Sequence, residues 1–174
     1  MKKSITLIGM AGAGKSTIGK RLAKILNLKF IDGDKKIEEE INESIQNFID
    51  QKGREEFTKI EESVLLSIKF DETLLATGGS AILCDSAMQF ARKESEVIFL
   101  DVSYENISQR ITNLSERGLV RNPNQSLQET YTERMNLYRK YANHIVANDG
   151  DVESCVKVLV GLTQEFYFLL NNNE

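Results

Sequence analysis

Gly14, Lys15 and Ser16 are consecutive, and Gly9 completes the pattern G-x-x-x-x-G-K-[ST]. Glycines at these positions let a loop curl so that its backbone N–H groups point into one concavity, which suits a phosphate. The lysine then reaches the β- and γ-phosphates, and the serine offers a hydroxyl to Mg²⁺. The same glycines would also serve an ordinary tight strand-to-helix turn. A second group lies in "FIDGD", where Asp32 and Asp34 flank Gly33. Carboxylates at i and i+2 just past a strand point the same way. Beside a phosphate loop, one suits Mg²⁺, directly or through water, and the other suits a hydrogen bond from a substrate hydroxyl. The triplet reads equally as a turn with Asp34 capping a helix. A third group is "TNLSERGLVRNPN", residues 112–124, polar and carrying Arg117, Arg121 and the only proline. That composition suits a lid that brings cations onto phosphates, or a solvated surface loop.

These residues need elements to hold them. Ile5, Leu7 and Ile8 form a short apolar run ending at Gly9, as a buried strand does. Ile18, Leu22, Ile25 and Leu26 then recur at helical spacing. Further strand-like runs occupy 28–31, 73–77, 97–101 and, more weakly, 144–147. Helical patterns cover 15–26, 34–43, 53–69, 85–92, 103–113, 126–141 and 151–170. Strands alternating with helices imply an α/β fold, a five-stranded parallel sheet with helices on both faces. Such sheets bind ligands at the carboxyl ends of their strands. Gly9, Asp32, Gly78 and Asp101 all stand at such ends and are expected to share one cleft. The charged residues 33–62 fit the sheet poorly and are expected to form a helical insert over it.

Composition narrows the function. The 174 residues suffice for one domain with its own core, at 41% hydrophobic and 28% charged. A net charge of −4 without a long Lys/Arg run excludes a nucleic-acid surface. No apolar run approaches a membrane span. Two cysteines, Cys84 and Cys155, without metal-like spacing or an apolar leader, read as free thiols of a cytoplasmic protein. His144 reads as structural, and "EFYFLL" (165–170) as core packing.

Taken in order, "GMAGAGKSTIGKRLA", "FIDGDKKIEEE", "GREEFTKIEE", "TGGS", "ERGLV" and "ERMNLYRKYA" resemble the shikimate kinases, over residues 4–147. The resemblance implies a P-loop kinase of the nucleoside-monophosphate-kinase-like group, with the insert at 33–62 and a lid at 112–124. It implies transfer of the ATP γ-phosphate to the 3-hydroxyl of shikimate, with Mg²⁺, in aromatic amino-acid biosynthesis. It also implies a monomer without nucleic-acid or membrane partners. By the same resemblance, Gly12, Ala13, Gly14, Lys15, Ser16 and Thr17 hold ATP, with Arg110 on the adenine and the 148–151 loop over its other face. Ser16 and Asp32 hold Mg²⁺. Lys15, Asp34 and Arg117 are the catalytic residues, with Asp34 as base. Asp34, Gly78, Gly79 and Arg134 bind the acceptor, Arg134 through its carboxylate.

The chain departs from the family pattern at the acceptor end. The family's substrate-site arginine is Thr58, its glutamate is Arg54, its third glycine is Ser80, and its lid Arg-Pro is Arg117-Gly118. Arg54 and Thr58 lie one turn apart, so Arg54 is expected to supply the missing cation and, with Thr58 and Ser80, to complete the acceptor site. Two other functions stay open on these residues. One is a kinase of the same fold for another hydroxylated acid such as gluconate. The other is a nucleotide-binding regulatory protein without kinase activity. Asp101, ending an apolar strand, competes with Asp32 for Mg²⁺, and Asp32 is preferred.

Overall fold

In the computed structural model, which describes residues 4–111 and 124–171 with side chains through residue 167, the strands form one parallel sheet. They are β1 (Ser4–Ile8), β2 (Lys29–Asp32), β3 (Thr73–Ala76), β4 (Ser95–Asp101) and β5 (His144–Ala147), in the order β2-β3-β1-β4-β5. β1 is central, with Leu7 opposite Ala76 on one side and Ile98 on the other. All five of its residues are buried. Burial on both faces explains why its sequence is an apolar run without strict alternation. The parallel arrangement brings the carboxyl ends of the strands to a single edge.

The helices are α1 (Lys15–Leu26), α2 (Gly33–Ile41), α3 (Ile45–Lys52), α4 (Arg54–Leu66), α5 (Asp85–Glu94), α6 (Tyr104–Arg110), α7 (Leu127–Tyr141) and α8 (Val152–Asn171). α1 buries Ile18, Leu22 and Ala23 on one stripe and packs against α8 and β3. Its end is set by Asn27, in the left-handed region at φ 54°. α7 begins with a reciprocal cap, Ser126 and Glu129 each bonding the other's backbone N–H.

The insert differs from its expected form by one helix. Residues 45–52 also fold as a helix, α3, with Ile45, Phe48 and Ile49 at helical spacing and the Ser44 hydroxyl accepting from Asn47 N at 3.3 Å. The insert also has its own interior. Ile37, Ile45, Phe57 and Val64 are buried together, with Ile41, Phe48, Ile49 and Ile60 against them. Leu65, at the end of α4, belongs instead to the main core on the sheet. α4 therefore spans both interiors.

At the amino end of β5, His144 Nε2 meets Glu96 Oε2 at 3.3 Å and its ring stacks on Phe166. That end is opposite the carboxyl edge, so His144 is structural. Phe166 also meets Tyr167 edge to face, so this part of "EFYFLL" packs against its own molecule. Cys84 and Cys155 are buried free thiols. Burial pushes the Cys84 thiol up to about 12. No helix among the described residues is long and apolar enough to cross a membrane.

Candidate active site

A cavity of about 600 Å³ opens at the carboxyl edge of the sheet. One end is the glycine loop between β1 and α1. Gly14 sits at φ 88°, a backbone that L side chains rarely adopt, and its carbonyl starts α1 by accepting from Ile18 N at 2.9 Å. Gly12, Gly14, Lys15, Ser16 and Thr17 line the cavity. Ala13 is buried behind them, its carbonyl taking the Asn148 amide at 2.8 Å. Lys15 Nζ donates to the Gly9 and Met10 carbonyls at 2.7 and 2.8 Å, which fixes the ammonium over the loop. Burial lowers this lysine to about 8, opposed by the charges of Asp34, Asp32 and Glu61.

Arg110, at the end of α6, also lines this end, and its guanidinium donates to the Asn148 carbonyl at 3.1 Å. The expected adenine residues, α6 and the 148–151 loop, are thus joined to the phosphate loop. Arg117 and Arg121 lie outside the described residues, as does nearly all of the expected lid.

The two aspartates are arranged differently from expectation. The chain turns into α2 at Gly33, so strand alternation does not relate them. Asp32, not Asp34, caps the helix, accepting from Lys35 N at 3.5 Å. Asp34 lies in the first turn and lines the cavity. Water reaches it from the open side, but enclosing protein removes much of its hydration and raises its carboxyl, with Asp32 and Glu38 adding to the rise and Lys15 opposing it. Asp32 is near enough to hold up the Lys15 ammonium. Asp101 is turned to Arg139, with 3.4 Å between Oδ2 and Nη2, and does not line the cavity. By the same measure Gly9, Asp32 and Gly78 do not line it either, so none of the four strand-end residues expected to share the cleft forms its wall; Asp101 is further paired with Arg139 of α7.

The opposite end is built on the turn after β3. A side chain at Gly79 would place Cβ 3.0 Å from Ala11 N, and one at Gly78 would place it 2.5 Å from Asp34 Oδ1 and 2.9 Å from Glu61 Oε1. A side chain at Gly79 would press on the backbone of the phosphate loop, and one at Gly78 would displace the two carboxylates. Arg134 is buried on α7 and donates to the Gly79 carbonyl at 3.1 Å. Tyr138 OH donates to the same carbonyl at 2.7 Å. Ser80 lines the cavity beside them.

Arg54 and Thr58 do not line the cavity. Arg54 is half-buried at the start of α4, and the Thr58 hydroxyl donates back to the Arg54 carbonyl at 2.9 Å.

Two site residues were not assigned roles from sequence: Glu61 and Tyr138. Glu61 had a legible signal. It falls at helical spacing in the buried stripe Phe57, Glu61, Val64 and Leu65, where an acid is out of place unless it serves a site. Its burial pushes the carboxyl up to about 7.

The shikimate kinase family model matches residues 11–163. The chain belongs to the shikimate kinase family. A shikimate kinase of Clostridium botulinum (strain Alaska E43 / Type E3) is 37% identical over 158 residues, 90% of this chain and 94% of that protein. One from Sulfurihydrogenibium sp. (strain YO3AOP1) is 38% identical over 138 residues, 79% of this chain and 83% of the other. Among solved structures, a shikimate kinase from Acinetobacter baumannii in complex with shikimate superposes with a TM-score of 0.80 at 29% identity, covering 99% of this chain and 94% of that one. A gluconokinase from Sinorhizobium meliloti 1021 reaches 0.57 at 17% identity over 97% of each chain, a likeness of fold alone. Family membership makes this an ATP-dependent kinase of the P-loop fold and favours shikimate kinase activity over the gluconate and regulatory readings. Of the three positions at which the sequence was expected to depart from the family pattern, Ser80 lines the cavity and Arg54 and Thr58 do not.

Proposed function

We propose that this chain transfers the γ-phosphate of ATP to the 3-hydroxyl of shikimate. The observation that carries it is a single cavity joining the phosphate loop, through Asp34, to the buried guanidinium of Arg134. A phosphate donor and an acidic acceptor would meet there in line. Phosphoryl transfer is mostly positioning plus neutralisation of spreading charge. The loop N–H groups and α1's positive end cradle the phosphates, and Lys15 reaches the transferred group. Asp34 orients the acceptor hydroxyl and takes its proton as the new O–P bond forms and ADP leaves. Arg134 holds the acceptor carboxylate. Arg110 covers the adenine, and Arg117 adds a cation from the 112–124 segment.

The residues present fit Mg²⁺. Ser16 offers a hydroxyl at the cavity wall and Asp32 a carboxylate near Lys15; such oxygen donors, with ATP phosphates and water, suit this ion. When bound, it neutralises phosphate charge.

The deciding experiment couples ADP release to a small panel of hydroxy acids. Shikimate should drive turnover with Mg²⁺ and ATP, and gluconate should not. Turnover with gluconate alone would reassign the acceptor, and none with any acid would indicate a nucleotide-binding protein without transfer.

A further inference from the structure

Ser80 replaces a family glycine, and its hydroxyl donates to both oxygens of Glu61, at 3.0 and 2.8 Å. The Glu61 side chain is buried on α4. The charged and titratable groups that face it come from several elements: Lys15 of α1, Asp34 of α2, Cys84 ahead of α5, and Arg134 and Tyr138 of α7. A buried carboxylate beside a second one needs donors to stay charged. Its own helix supplies none from the preceding turn. Thr58, three residues back, uses its hydroxyl on the Arg54 carbonyl. An arginine at 58 would instead face Glu61 across one turn. In this chain Ser80, and not the residue at 58, supplies the side-chain donor to that carboxylate.

We propose that Ser80 is a positioning residue for acceptor recognition: its hydroxyl favours the charged form of the Glu61 carboxylate and fixes it beside Asp34 and Arg134, as a cation at position 58 would otherwise do. The proposal rests on the shikimate kinase reading and deepens it. Ser80 acts through Glu61, whose Oε1 and the Oδ1 of Asp34 crowd the same spot beside Gly78, where a Cβ would stand 2.9 and 2.5 Å from them. It carries no bond-making step. What it controls is the affinity for an acidic hydroxylated acceptor, and how that affinity depends on pH.

The test is steady-state kinetics with shikimate and ATP over about pH 6 to 9, where a raised carboxyl titrates. Ser80→Ala should raise the shikimate KM roughly tenfold at neutral pH, the size of a hydrogen bond to a charged group, with little change for ATP. The acidic limb of kcat/KM for shikimate should move up by about one pH unit, because a donor to the charged form is lost. In a Glu61→Gln background, Ser80→Ala should add less than about twofold, since the partner is already gone. Ser80→Thr should keep the parent limb, and Thr58→Arg added to Ser80→Ala should recover most of the loss. An unchanged KM with a superimposable pH profile overturns the proposal. So does an equal effect of Ser80→Ala with and without Glu61, which would place the hydroxyl on the substrate itself. Failure of the parent protein to phosphorylate shikimate sinks the functional reading separately. The Ser80–Glu61 contact is then read without turnover, by carboxyl NMR titration of Glu61 in parent and Ser80→Ala. An upward move supports the proposal, and identical titrations overturn it.

Discussion

Lys15 is held on two backbone carbonyls and depressed to about 8 by burial, although Asp34 and Asp32 lie close. Phosphate oxygens beside it would restore the charged form. ATP binding at about pH 8.5 should therefore take up protons, read from calorimetric heats in buffers of different ionisation enthalpy. Lys15→Ala should abolish that uptake along with transfer; equal uptake in both proteins would assign it to another group. On the proposed mechanism Asp34 orients the acceptor hydroxyl, so Asp34→Asn should lower kcat by about a hundredfold or more and leave the ATP Kd nearly unchanged. A loss confined to ATP affinity would return Asp34 to a structural role. The residues of the phosphate loop were legible in sequence because their spacing is dictated by the curl of one short loop. Asp34 was found for a reason that proved incomplete: strand alternation does not reach past Gly33, where α2 begins. Arg54 was singled out by helix periodicity, which relates residues on a face but does not say whether that face meets a cavity; here it does not line it.

Among the elements, β5 and α1 lie at the expected bounds, since each is closed by a strong local signal. α3 was not anticipated although it was legible: Ser44 caps it, and Ile45, Phe48 and Ile49 follow at helical spacing and pack into the insert's interior. The order of strands in the sheet is likewise a product of tertiary contacts and is not written in any local period. The insert's separate interior has an energetic consequence. Phe57 is 1% exposed at its centre. Phe57→Ala should cost about 3–5 kcal/mol locally, by lost burial and the cavity left behind. Hydrogen exchange should show α2, α3 and the first turns of α4 losing protection while β1, β3 and β4 keep theirs. Equal loosening of the sheet would mean that the two interiors act as one.

For the molecule as a whole, the site trades stability against chemistry. Glu61 in the fold is raised from 4.5 to about 7, so the folded chain keeps a proton that the unfolded chain releases between those values. Stability therefore falls as pH rises through that window, by on the order of 3 kcal/mol. Asp34, also raised, acts in the same direction. Lys15 is depressed from 10.5 to about 8, so the stability it withholds at neutral pH returns as pH climbs from about 8 toward 10.5. Glu61→Gln cannot ionise, and its melting temperature relative to the parent should rise between about pH 5 and pH 8. A difference independent of pH would show that Glu61 titrates normally in the fold.

Position 79 links these scales. Its carbonyl receives Arg134 and Tyr138 from α7, and its Cα stands against the Ala11 amide of the phosphate loop. The buried guanidinium of Arg134 and the phosphate loop are therefore referenced to the same residue. In engineering language, that residue is the datum of the machine. A substitution at 80 leaves that datum in place, whereas a change that displaces the backbone at 79 shifts both ends of the cavity together.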